Sequence, residues 1–227
     1  DGERVAFTGI SDNRTNDEWR SELYVADRRN GMVLQLTKND APEDSPKWSP
    51  DGTRIAYHSP DAKKYDLRHG YLWLVNPLTG DARRLDGQHQ GDLRGFRWTA
   101  DGRRLLFGET RGVTANLFEL DPESGEVRAR TRSSGTLVVR DISADGSVVA
   151  YTEESHTTPA DLWVADAAHE APARLTNANP WVGTEVAVAP SEVVRWRSTD
   201  GREIEGVLTR IGSSPQPLVM DIHGGPG

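Results

Sequence analysis

"WSPDGTRIAY", residues 48–57, decides how the rest of the chain is read. Asp51-Gly52 supplies the positive-φ tolerance of a tight hairpin turn, and Ile55 and Tyr57, two positions apart, lie on one face of the strand that follows. The stretch recurs. "WTADGRRLLF" (98–107) and "ISADGSVVAY" (142–151) repeat it, and "DGERVAF" (1–7) repeats its second part. The Asp-Gly pairs at 1, 51, 101 and 145 are spaced by 50, 50 and 44 residues. Each Asp is followed at the fourth position by an aliphatic residue (Val5, Ile55, Leu105, Val149) and at the sixth by an aromatic one (Phe7, Tyr57, Phe107, Tyr151).

Further along each copy stand Leu23-Tyr24, Leu72-Trp73, Leu117-Phe118 and Leu162-Trp163, followed by Asp27, Asn76, Asp121 or Asp166. Side chains of that kind open turns by bonding their own backbone. A last strand is expected to end at Leu36-Thr37, Leu85 and Leu175-Thr176, with Arg130-Thr131 departing in the third copy. Strand, turn and three further strands per unit of 40 to 50 residues are the signature of β-propeller blades. The fold class expected is therefore mainly β, a β-propeller of about four four-stranded blades. Copy one starts on its turn, so one strand of that blade is expected to be missing and the four blades to form part of a larger ring. The repeated Asp, Gly, Trp and Tyr are turn-formers and interblade packing, not site residues.

Composition narrows the function. A net charge of −8 with scattered basic residues argues against a nucleic-acid partner. No apolar run approaches the roughly 18 residues of a membrane-spanning helix, so no membrane partner is expected. The absence of cysteine excludes disulfides and thiolate metal sites. With no targeting segment at the amino end, a cytoplasmic location is the expectation.

The repeat stops after Leu175-Thr176. Residues 1–178 are assigned to the propeller, 179–190 to an irregular connection and 191–227 to a second, incomplete domain. In that domain Asp200-Gly201 separates two strand-like runs, Val193 to Arg197 and Ile204 to Leu208, which read as one hairpin. After a polar loop, "PLVMDIHGGPG" (217–227) reads as a buried apolar strand running into a glycine-rich loop.

Four stretches, "TPADLWVAD" (158–166), "RLTNANPW" (174–181), the Glu192 to Leu208 hairpin and "HGGPG" (223–227), resemble the prolyl oligopeptidase family of serine peptidases. The similarity is to its acylaminoacyl peptidase and dipeptidyl aminopeptidase branch. The resemblance implies a propeller joined to the first strands of an α/β-hydrolase domain, with the propeller gating access for short peptides. In that fold the glycine turn after a core strand offers backbone N–H groups to the oxyanion of the tetrahedral intermediate. By resemblance Gly225, with Gly224, presents the donor, while His223 and Pro226 shape the loop or line the pocket. Asp221 departs from the usual apolar residue before this loop.

The family's Ser, Asp and His follow the glycine loop, and no Gly-x-Ser-x-Gly elbow occurs in these residues. No catalytic residue is therefore expected in the chain itself, and alone it should be inactive. The chain reads as a fragment of a longer peptidase whose remaining hydrolase domain partners the terminal strand. Ser133-Ser134 and Ser213-Ser214 lie in polar loops and receive no nucleophilic role. Histidines 58, 69, 89, 156 and 169 show no metal-ligand spacing, so neither metal nor cofactor is expected. Glu153-Glu154 reads as a solvated loop, and Asn13-Arg14-Thr15 as a chance glycosylation pattern. Exposed blade edges make a homo-oligomer an expectation. The alternatives are a stand-alone propeller that binds a protein or peptide, which periplasmic translocation propellers resemble, and a propeller-capped esterase.

Overall fold

The computed structural model describes residues 2–10, 20–39, 41–60, 70–85, 92–143, 147–166 and 172–221. Among them there are strands and no α-helix. The first repeat forms β1 (Arg4–Gly9), β2 (Glu22–Asp27) and β3 (Val33–Gln35), a three-stranded antiparallel sheet. The second gives four strands, β4 (Asp44–Trp48), β5 (Ile55–Ser59), β6 (Tyr71–Val75) and β7 (Ala82–Arg84), paired in that order. The third gives β8 (Asp92–Trp98), β9 (Leu105–Arg111), β10 (Thr114–Leu120) and β11 (Val127–Ala129). The fourth gives β12 (Thr136–Ile142), β13 (Val148–Ser155), β14 (Thr158–Asp166) and β15 (Ala173–Arg174). A single parallel register, Ala115 opposite Thr136, links the last two sheets.

The turns follow the expected chemistry. Gly2, Gly52 and Gly102 have φ of 72°, 68° and 68°. Asp51 Oδ1 accepts the N–H of Thr53 at 3.0 Å and the Ser49 hydroxyl at 2.6 Å, and Asp101 does the same with Arg103 and Thr99 at 3.0 and 2.7 Å. Asp27, Asn76 and Asp121 each accept the N–H two residues on, at 2.8, 2.9 and 2.8 Å.

Because side chains alternate across a strand, each sheet has two apolar faces, and consecutive sheets stack face to face. Ala56, Leu72, Leu74 and Leu85 of the second blade pack against Leu105, Phe107, Phe118 and Leu120 of the third. The seam before it joins Leu23, Val25 and Leu36 to Ile55, Tyr57 and Val75. The seam after it joins Leu106 and Leu117 to Val149, Tyr151 and Ala165. The repeat's two aromatic positions are cross-strand partners in every blade, as Phe7 with Tyr24, Tyr57 with Trp73, Phe107 with Phe118 and Tyr151 with Trp163. In the first three the rings stack at 5.5, 6.2 and 5.7 Å.

Two arginines add a bracket that the repeat pattern left unread. Arg4 lies over the Trp48 ring at 4.6 Å and donates to the Gly52 carbonyl at 3.0 Å. Arg54 lies over Trp98 at 5.1 Å and donates to the Gly102 carbonyl at 3.2 Å. Each reaches from its own blade to the turn of the next. Arg104 instead turns to Glu119 and Asp121 of its own blade, where the following copy carries Ile142 in the Trp position.

At the two ends of the arc the matching faces are uncovered. Val5 is 54% and Phe7 37% exposed on the first blade, and Leu175 is 56% exposed on the last.

Phe107, 2% exposed at the centre of the seam between the second and third blades, gives the direct test of this packing. Phe107→Ala is expected to cost about 3–5 kcal/mol, read from the denaturant midpoint of the intact protein.

Candidate functional site

The second segment begins with β16 (Ser191–Arg197) and β17 (Glu203–Thr209), paired in full register from Ser191 opposite Thr209 to Arg197 opposite Glu203. Gly201, with φ of 84°, turns the hairpin as expected, and Trp196 lies over Gly206, where an added Cβ would meet its ring at 3.1 Å. The hairpin rests on the third blade through one carboxylate. Glu205 accepts the N–H of Val113 at 3.2 Å and is held by Arg195 Nε at 2.6 Å. It occupies the notch over Gly112, whose φ is 56° and where a Cβ would lie 1.8 Å from Glu205 Oε2. The Arg195 hydrogen bonds, with smaller help from the Val113 N–H, hold the Glu205 carboxyl below its ordinary range.

The terminal strand expected over 217–222 is not formed in residues 217–221. These residues have no strand partner, and Leu218, Val219 and Met220 are 71%, 89% and 65% exposed. An apolar strand of the interior type needs neighbours for its backbone and side chains, and among the described residues none lies beside it. The oxyanion candidates Gly225 and Gly224, and the loop residues His223 and Pro226, lie outside the described residues.

The structure also corrects the reading of Glu153-Glu154 as a loop. Both lie within β13, opposite Leu137 and Thr136 of β12. Ser133 is structural, its hydroxyl accepting the Gly135 N–H at 3.0 Å. His58 bonds Asp44 at 2.7 Å, His156 is exposed, and histidines 69, 89 and 169 lie outside the described residues. No group of three potential metal ligands occurs among the described residues. Among the described residues no helix is long and apolar enough to cross a membrane.

One buried acid was missed. Glu43 is 1% exposed at the seam between the first and second blades. It stands five residues before Trp48, where the next copies carry Leu93 and Leu137, so the signal was an acid at a leucine position. Thr37 Oγ1 donates to its Oε2 at 2.9 Å and Asn39 Nδ2 to its Oε1 at 2.7 Å. The Asn39 backbone N–H donates to Glu22 Oε1 at 2.9 Å, so a single residue joins the two carboxyls. Glu22 Oε2 is buried without a hydrogen-bond partner. Burial, countered by the Asn39 and Thr37 bonds and reinforced by neighbouring Glu22, pushes the Glu43 carboxyl up to about 7. Tyr57, on the same seam, is raised by burial and by both carboxyls.

The stacked four-stranded repeats define a β-propeller. Dipeptidyl-peptidase 5 of Porphyromonas gingivalis is 22% identical over 100% of this chain and 34% of its own length. The solved acylaminoacyl peptidase of Pyrococcus horikoshii superposes with a TM-score of 0.67 at 20% identity, over 90% of this chain and 31% of that one. TolB from Acinetobacter baumannii superposes at 0.57 and 17% identity, over 92% of this chain and 50% of that one. No family model matches. These likenesses support a relation to the propeller region of the prolyl oligopeptidase family of peptidases. The chain spans about a third of the length of the curated peptidases it matches along its whole extent, 34% for dipeptidyl-peptidase 5.

The Glu22–Glu43 pair sets a pH dependence for the first seam. Glu43 is raised above its unfolded value of 4.5 to about 7, so the folded state binds its proton more tightly than the unfolded one. Its ionisation therefore costs nothing below pH 4.5, costs progressively more up to about pH 7, and is constant above. Stability is expected to fall by about 3 kcal/mol across that window. In Glu43→Gln and Glu43→Leu the fall should be absent from denaturant midpoints measured between pH 5 and pH 8. An unchanged slope in both variants would show that Glu43 is not its source.

Proposed function

We propose that the chain is the propeller blades and first hydrolase strands of a serine peptidase acting on short peptides of the acylaminoacyl or aminoacyl type. The observation that carries this reading is the whole-length collinearity with a dipeptidyl peptidase. That likeness runs through the blades, the 191–209 hairpin and the His-Gly-Gly-Pro-Gly loop alike, covering 100% of the chain. The propeller gates access. Residues 191–227 begin the catalytic domain, whose Ser, Asp and His come from sequence beyond the glycine loop, and Gly225 with Gly224 binds the oxyanion.

The reaction is acyl transfer in two stages. The serine attacks the peptide carbonyl to form an acyl-enzyme while the histidine moves the proton to the leaving amine, and water then releases the acyl group. No cofactor enters either stage. The uncovered faces at Val5 and Phe7 and at Leu175 support blades of the same kind on both sides of this arc, completing a ring with the remainder of the hydrolase domain beside it.

The likeness to TolB over 92% of the chain favours a second reading, a peptide-binding or protein-binding propeller without hydrolysis. A third is a propeller-capped esterase. The full-length protein is expected to hydrolyse acyl-peptides or aminoacyl anilides, to be labelled by a serine-directed phosphonate, and to retain neither property when reduced to residues 1–227. Hydrolysis of simple esters alone selects the esterase, and peptide binding without turnover selects the binding module.

A further inference from the structure

In the second, third and fourth blades the first strand is irregular at the same level. The register shifts between Asp44 and Lys47 in β4, between Arg94 and Phe96 in β8 and between Val139 and Asp141 in β12. Ser45, with φ of 54°, is the one non-glycine in the left-handed region among the described residues, and Gly95 has φ of 64°. Strain of that kind persists where the surroundings enforce it and gathers at functional sites, and bulges re-aim side chains beside them. β4 lies against β8 and β8 against β12. These first strands are therefore where the blades converge, the wall facing the axis of the arc.

The bulged residues Ser45, Gly95 and Arg140 line one cavity of about 220 Å³, together with Lys47 and Arg97. Three cations meet there in a chain of net charge −8. Arg97 pairs with Asp141 at 3.1 Å. Arg140 Nε donates to the neutral Thr152 hydroxyl at 3.0 Å, which orients the guanidinium without neutralising it. The Lys47 ammonium has no carboxylate partner among the described residues, and neighbouring Asp44 is taken by His58 at 2.7 Å. Among the described residues two of the three positive charges thus have no carboxylate partner, Lys47 on β4 and Arg140 on β12 to either side of β8, around a cavity of the size that admits a small group.

We propose that this niche is a carboxylate subsite, in which Lys47 and Arg140 hold the free C-terminal carboxylate of a peptide while the Asp141-bound Arg97 flanks it. This rests on the peptidase reading, and it narrows the substrate class to peptides with an unblocked C-terminus. A planar guanidinium and a mobile ammonium suit a carboxylate through charge-assisted hydrogen bonds, and neither has a carboxylate partner among the described residues.

The test uses the full-length protein and matched peptides differing only in a C-terminal carboxylate or carboxamide, with both binding by calorimetry and KM for hydrolysis measured. The acid form is expected to bind about tenfold tighter at low salt, a preference that shrinks as salt screens it. The preference should vanish from both affinity and KM in the Lys47→Ala/Arg140→Ala double variant and return in part in Arg140→Lys. Both side chains are exposed, so the variants are expected to fold, and an unchanged melting temperature checks that. Equal affinity for acid and amide in the parent, or a preference that survives the double variant, overturns the niche. Turnover without the preference overturns the niche and leaves the peptidase reading standing. A carboxylate preference in binding without any turnover does the reverse.

Discussion

A single blade cannot cover itself. Each four-stranded sheet places apolar side chains on both faces, one face rich in aromatic pairs such as Tyr57 with Trp73 and the other in small and aliphatic residues such as Ala56, Leu72 and Leu74. The faces are unlike, so the aromatic face of one blade fits the aliphatic face of the blade before it. The same choice is made at all three seams. Stability in such an array is a sum of blade and nearest-neighbour terms, and here the neighbour terms hold the largest fully buried side chains, Tyr57, Tyr151 and Phe107. The arginine brackets from Arg4 to Gly52 and from Arg54 to Gly102 tie each blade to the turn of the next.

Most of this arrangement is legible in the sequence because it rests on local chemistry. Asp-Gly makes its turn wherever it stands, and an aliphatic and an aromatic two residues apart fall on one face of any strand. What escaped reading depends on neighbours distant in sequence. Arg54 looks like a solvated charge beside the Asp51-Gly52 turn until Trp98 is seen beneath it. Glu153 and Glu154 look like a polar loop, yet they continue the strand from Tyr151, because Leu137 and Thr136 across the pair and Asp161 on the other side complete the ladder. Pro217 to Asp221 shows the converse. Its pattern of Leu218, Val219 and Met220 is that of an interior strand, but strand formation belongs to a pair of segments, and among the described residues there is no second one.

The threonines at the ends of the blades explain why the third copy departs so little. Thr37, Thr131 and Thr176 accept the backbone N–H of Leu23, Leu117 and Leu162 at 2.8, 2.9 and 2.9 Å. Each hydroxyl then donates to an acid or amide, Glu43, Asn116 or Asp161, at 2.9, 2.8 and 2.6 Å. Only the hydroxyl matters for this relay, so Arg130 replaces the preceding leucine without breaking it. In the third and fourth blades the acceptor is the residue just before the leucine. In the first blade that residue is Glu22, and the acceptor has passed to Glu43 of the next blade.

These substitutions within the repeat have a common logic. A periodic core tolerates an exception only where a neighbouring element supplies its partner, and local rules are broken chiefly where something besides folding is required. Glu43 takes a leucine position because Thr37 and Asn39 reach it from the first blade. Gly112 stands at the tip of the β9–β10 hairpin because the Glu205 carboxylate of the second segment fills the space a side chain would take. The bulges at Ser45, Gly95 and Arg140 recur on the converging first strands and line one cavity there. A regular propeller needs none of these features. They lie where one blade meets the next, where the hairpin lands, and along the converging first strands.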